Sequence, residues 1–170
     1  MKLRKYFLAA AVMLASALVP MASHAAAMAD PPENSLIDFW FRAQSYTAPS
    51  SHYIALATTS GSDSACGTEV TGGSYARVQV TSSLTNWAGT QSAGSTSASS
   101  GTSGTTSNNN AVTFPSPTGN WGSVTEVCAF SASSSGTLLW RVALTTPKTV
   151  NNGDAAPSFA AGALTFQIDN

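Results

Sequence analysis

The clearest pattern along the chain is an alternation of apolar and polar positions between residues 111 and 146. Residues 111–114 form a short β-rich run, stopped by the turn cluster Pro-Ser-Pro-Thr-Gly-Asn at 115–120. Residues 123–131 then alternate, with Val124, Glu126, Cys128 and Phe130 on one face and Thr125, Val127 and Ala129 on the other. Ser-Ser-Ser-Gly at 133–136 turns the chain. Residues 137–144 alternate again, setting Leu138, Trp140, Val142 and Leu144 against Leu139, Arg141 and Ala143. Neither long strand has a wholly polar face, which predicts a sheet covered on both sides over part of its length.

The same period predicts further strands on either side. Residues 52–59 place Ile54, Leu56 and Thr58 on one face, and residues 75–81 place Ala76, Val78 and Val80 inward with Tyr75, Arg77 and Gln79 outward. Leu84 and Trp87 follow as isolated apolar anchors. Residues 163–169 close the chain as a strand with Leu164, Phe166 and Ile168 on one side, after an irregular stretch at 155–163. Lys148-Thr-Val and the turn Asn151-Asn-Gly-Asp precede that stretch.

One segment breaks the period. Leu36, Ile37, Phe39, Trp40 and Phe41 form a dense apolar block after the turn-like Asp-Pro-Pro-Glu-Asn-Ser at 30–35. The block lacks β alternation, so it predicts a helix of two or three turns to about Ala43, capped by Asn34 or Ser35. Its aromatic side chains need burial under the sheet or against a neighbouring subunit. About seven short strands and one N-terminal helix make an all-β fold, an antiparallel two-sheet sandwich of jelly-roll type.

Composition sharpens the picture at three places. Residues 1–5 are basic, 6–19 are continuously apolar, and small residues follow Pro20 at Ser23-His-Ala25 and Ala25-Ala-Ala27. That order predicts a signal peptide over 1–27, or an N-terminal extension, ahead of a single sandwich domain at 28–170. The apolar run is short for a membrane span. Residues 88–110 are low-complexity Ser, Thr, Gly and Asn, which predicts an exposed loop. Charged residues are only 9% of the chain, and four basic against eight acidic residues follow position 27, a net of −4. Such a body has no basic footprint for nucleic acid.

Candidate chemistry is sparse. There is no C-x-x-C, and His52 is the only histidine outside the leader, so a zinc site is a poor explanation of Cys66 and Cys128. In an oxidising compartment the two form one disulfide; otherwise they are unrelated thiols, Cys128 a small core residue. No G-x-S-x-G elbow activates a serine, Glu126 has no matched carboxylate partner, and the glycines sit in turns. No catalytic, cofactor or metal-binding residue is assigned, and no cofactor is expected. Trp87, Trp121 and Tyr46 lie near loops and are candidates for stacking on sugars, against the plainer use of core packing.

Five stretches carry a resemblance: ENSLIDFWFRAQSYTAPSSHYIALATT at 33–59, GTEVTGGSYARVQV at 67–80, NNNAVTFPSPTGNWGSVTEVCAF at 108–130, GTLLWRVALTTPKTVNNGD at 136–154 and AAGALTFQID at 160–169. Together they resemble small phage virion proteins of the tail-fibre-like or capsid decoration type, most specifically at 72–77, 112–122 and 144–154. The resemblance implies a non-enzymatic structural protein of a phage or prophage particle. Its implied partners are its own copies and other virion proteins, and the apolar Leu36, Ile37, Phe39, Trp40 and Phe41 are the candidate interface. Its location is then the virion, or the periplasm and beyond if the leader acts. The alternative is a secreted β-sandwich binding module, an adhesin or carbohydrate-binding domain of a bacterial cell.

Overall fold

The computed structural model describes residues 27–89, 94–100 and 104–168. All of the expected signal peptide except Ala27 lies outside the described residues. The strands are β1 (Ala27–Met28), β2 (Ser51–Ala57), β3 (Val78–Thr81), β4 (Thr105–Ser107), β5 (Val112–Thr113), β6 (Gly122–Phe130), β7 (Leu138–Val150), β8 (Ser158–Phe159) and β9 (Thr165–Gln167); the helix α1 (Asp30–Phe41) follows β1. β1-β7-β6-β2-β3 form an antiparallel five-stranded sheet, and β4-β9 and β5-β8 form two small sheets. The architecture is all-β and sandwich-like, with one short N-terminal helix.

The main core lies between the large sheet and the two small ones. Ile54, Leu56, Val127, Ala129 and Val142 face Val112, Phe114, Phe159, Leu164 and Phe166, all buried. Aromatic rings tie the layers: Tyr75 stacks on Phe114 at 6.3 Å between centroids, and Phe166 meets both Trp87 and Trp140 at 5.7 Å. The other face of the large sheet carries a smaller cluster of Ala29, Ala55, Cys128 and Leu138, with Cys66 and Phe130 packed on it. Two covered faces explain why β6 and β7 lack a polar side.

Several expected placements change, each for a local reason. The register slips between Val124 and Glu126, so Val124 joins Val127 and Ala129 in the main core and parts from Glu126 and Cys128. A bulge of this kind moves the following side chains to the opposite face. Opposite it, the four β7 residues 144–147 stand against Thr125 alone, and this slack lets the strand run through Pro147 to pair Val150 with Gly122. Proline is tolerated there because a bulge has no ladder bond for it to donate. β3 begins at Val78, so Tyr75 lies on a turn, with its N–H bonded to Gly72 O, and packs into the core instead of pointing outward. The Leu84 and Ile168 side chains are both exposed, Ile168 lying past the end of β9.

α1 begins at Asp30, earlier than Asn34 or Ser35. Its N-cap is Ala29, which makes no side-chain cap bond, and Pro31 and Pro32 occupy the first turn. Proline fits there because the first helical N–H groups have no intrahelical partner. The Ser35 hydroxyl instead donates to Pro31 O within the helix. At the other end Ala43 turns left-handed (φ 53°), and the Arg42 and Gln44 N–H groups both close on Asp38 O.

The expected loop at 88–110 ends in structure. β4 pairs with β9, and Asn108 is fully buried. β8 likewise lies within the stretch read as irregular. Runs of two or three residues are too short for alternation to register.

Candidate functional site

Two places on the molecule concentrate features that a simple β-sandwich does not need. The first is the loop between β2 and β3 at residues 58–69, which folds back over the smaller cluster. Cys66 on this loop is bonded to Cys128 on β6, with their Cα atoms 6.1 Å apart. Both described cysteines are therefore paired. Beside them Glu126 is buried, its carboxylate committed on every side. Oε2 accepts the Gly61 and Gly67 N–H groups at 2.9 and 3.0 Å, and Oε1 accepts Arg141 Nη1 at 2.9 Å. Arg141 also reaches Asp63 on the loop at 3.3 Å.

The glycines are required by this arrangement. A Cβ on Gly61 would land on the Ala65 carbonyl oxygen, and one on Gly67 on the Thr59 carbonyl oxygen. Only bare backbone brings both N–H groups to one carboxylate oxygen. The two sulphurs and the Glu126 carboxylate lie within 4.8 Å of one another, the grouping a soft metal would want. Sulphurs bonded to each other have no thiolate to offer, so the oxidised protein uses this cluster to hold a loop.

Glu126 carried no role in the sequence reading. The signal was present all the same: β6 holds one charge, and the alternating run at 137–144 beside it holds one of opposite sign, Arg141. Lone charges of opposite sign on paired buried strands must meet. A second pair does the same on the loop's far side, where Arg77 grips Glu69 at 2.7 Å. His52 is half-buried on β2, its ring 5.4 Å from Trp87 and its Nδ1 3.2 Å from the Ser82 hydroxyl.

Of the three aromatics weighed between sugar stacking and core packing, Trp121 is in the core with Nε1 donating to Gly73 O, and Trp87 is half-buried against Phe166. Tyr46 is on the surface, 6.5 Å from Phe39.

The strands that bound the fold also bound a match to known proteins. A family model described as podophage GP4 fiber I protein gp80 matches residues 27–167, from the first residue of β1 to the last of β9. The chain belongs to that family. It is a phage structural protein of the tail-fibre type. No curated protein matches it.

The second unusual place on this fibre-family protein is α1. Of its residues only Pro32 is buried. Leu36 is half-buried, while Ile37, Phe39, Trp40 and Phe41 are 53%, 47%, 64% and 81% exposed. With a helical step of about 100° per residue, these five spread over roughly 200° of the helix. The remaining arc holds Asp38 and Arg42, joined by an exposed ion pair. The helix is anchored at its N-terminus and carries its apolar half out into solvent. No helix among the described residues is long and apolar enough to cross a membrane.

Proposed function

We propose that this fibre-family protein is a non-enzymatic structural component of a phage particle that self-associates and attaches to other virion proteins through the apolar half of α1. The observation that carries this reading is the exposure of Ile37, Phe39, Trp40 and Phe41 in one contiguous stretch. Soluble monomers seldom leave such aromatics in water, and interfaces bury them at their centres. An apolar arc this wide exceeds what one packing face of a surface helix uses.

Replacing Trp40 with Ser and Phe41 with Gln tests it. The variant should run as smaller species in light scattering while its β-type circular dichroism persists. A wild-type protein that stays monomeric at high concentration would sink the self-association reading.

The start of the chain, residues 1–25, acts as an export leader in the same reading. The order of basic, apolar and small residues supports it. Ala27 is paired with Arg141 in the sheet, so a cut after Ala25 preserves β1 and a cut after Ala27 halves it. N-terminal sequencing of exported protein should therefore start at Ala26. An uncleaved, membrane-bound product would show an anchor instead.

A further inference from the structure

We propose that the Cys66–Cys128 bridge is a redox lock on the seat of α1, so that the oxidised protein presents its apolar helix in a fixed position and the reduced protein does not. The consequence for assembly rests on the function proposed above. The lock itself rests on how α1 is held.

The helix is fixed to the body at its beginning. Ala29 is fully buried in the same cluster as Cys128, Ala55 and Leu138, with Cys66 packed against it. The Ala29 N–H donates to Leu139 O and the Asp30 N–H to Asp63 O, each at 3.0 Å. Asp63 sits on the loop that Cys66 staples down, three residues before it. The floor of the seat is therefore β7, and one wall is a loop whose position depends on the bridge.

Reduction changes that wall in two ways. An external dithiol attacks the Cys66 sulphur, the more accessible of the two, and the S–S bond breaks with its electron pair leaving on Cys128 Sγ, which takes up a proton. The second thiol of the reagent then displaces Cys66, which leaves as a thiol while the reagent closes to its own disulfide. Two electrons and two protons enter the protein, and the reagent loses the same. Two unbonded sulphurs must separate to van der Waals distance, about 3.5–4 Å. Cys128 cannot yield, because β6 is paired on both sides there, to Ala55 and to Arg141. Cys66 and its loop must move outward.

The new Cys128 thiol also stands next to Glu126 Oε2, the oxygen that its sulphur already approaches at 3.7 Å. That oxygen is the acceptor for the Gly61 and Gly67 N–H groups. An S–H donor added there competes with the bonds that hold the loop once the covalent tie is gone. With the loop displaced, Asp63 O leaves the Asp30 N–H, and the cluster that buries Ala29 loses Cys66 from its cover.

Amide hydrogen exchange on the full chain, oxidised and after treatment with dithiothreitol, tests the lock. The Ala29 and Asp30 amides should exchange about tenfold faster or more on reduction, with the Ile54 and Leu56 amides still protected. A Cys66→Ser/Cys128→Ala double variant should show no change in exchange when dithiothreitol is added, and a response there would overturn the proposal by assigning the effect to something other than the bridge. Unchanged protection of Ala29 and Asp30 would overturn the proposal. So would equal loss at Ile54 and Leu56, since the bridge would then hold the whole sheet. Light scattering on the same samples should show smaller species when reduced; intact assembly despite fast exchange at Ala29 and Asp30 would overturn the link to assembly. An oxidised protein that never assembles would instead refute the self-association reading, and the exchange measurement would still decide the lock.

Discussion

Arg77 clasps both oxygens of Glu69, Nε to Oε1 at 2.8 Å and Nη2 to Oε2 at 2.7 Å, while its guanidinium lies 3.7 Å from the centre of the Phe130 ring. The remaining donor, Nη1, reaches the Ala132 and Ser135 carbonyl oxygens in the turn between β6 and β7. One side chain thus joins the loop before β3, the end of β6 and the turn that follows it. Its planar fork suits all three tasks at once, which a lysine ammonium cannot do.

Arg77→Lys should therefore destabilise the protein despite keeping the charge. The Arg77 side chain is only 8% exposed, so the lost bonds are not replaced by bulk water. The expected loss is about 2–3 kcal/mol, read as a lower midpoint in urea unfolding with an unchanged slope. A loss below about 0.5 kcal/mol would mean the clasp contributes no more than an exposed ion pair.

The same carboxylate makes stability depend on acid. Burial pushes the Glu69 carboxyl up, but the hydrogen bonds from Arg77 and Tyr75 and the charge of Arg77 together outweigh it, and the net shift is downward. A carboxyl lowered on folding stabilises fully above its unfolded value, 4.5, and that contribution fades as pH falls from there through the folded value. His52 is lowered by burial, so its contribution likewise fades as pH falls below its unfolded value of 6.5. Urea midpoints should thus decline in two steps on acidification. Glu69→Gln should flatten the lower step and His52→Gln the upper. Parallel wild-type and variant curves would refute the assignment.

How much of this was legible depends on whether the chain kept its period. β6 and the part of β7 up to Leu144 were visible because each leaves room for alternation to register, whereas the rest of β7, beyond the bulge, was not; the two-sided covering followed from their lack of a polar face. Tyr75 and Val124 were misplaced for one shared reason: parity was carried across a point where the pleat stops, a turn in one case and a bulge in the other. α1 was recognised by its missing alternation, but two prolines disguised its first turn. The exposed aromatics of α1 could be listed from sequence; that the body leaves them uncovered could not. The grip of Glu126 on Gly61 and Gly67 spans 65 and 59 residues and has no local trace.

The low-complexity segment supplies the sharpest test, because its composition predicts a loop while its end holds the strand β4 and the buried Asn108. Asn108 has no exposed surface, and its side-chain bonds tie the β4–β5 connection to the β8–β9 connection. Nδ2 donates to Asn110 O and Ala160 O at 2.8 Å, and Oδ1 accepts the Leu164 N–H at 2.9 Å. Next to it, β4 pairs with β9, and the Ala88 N–H donates to Ser107 O. One asparagine thus does for this corner what an apolar residue does elsewhere, because the groups around it are backbone carbonyls and an N–H that must be paired when buried. Replacing residues 90–103 with a short Gly-Ser linker should shift the melting temperature by only a few degrees, since loop closure depends weakly on length. Extending the replacement through Ser107 should cost far more, because it removes β4 and leaves β9 without its partner. Asn108→Ala in the full chain should lower stability by about 2–4 kcal/mol, from lost bonds and buried backbone groups left unpaired. If the longer replacement melts with the shorter one, the second layer does not need β4. If Asn108→Ala is neutral, water has taken the place of its side chain and the corner is open to solvent.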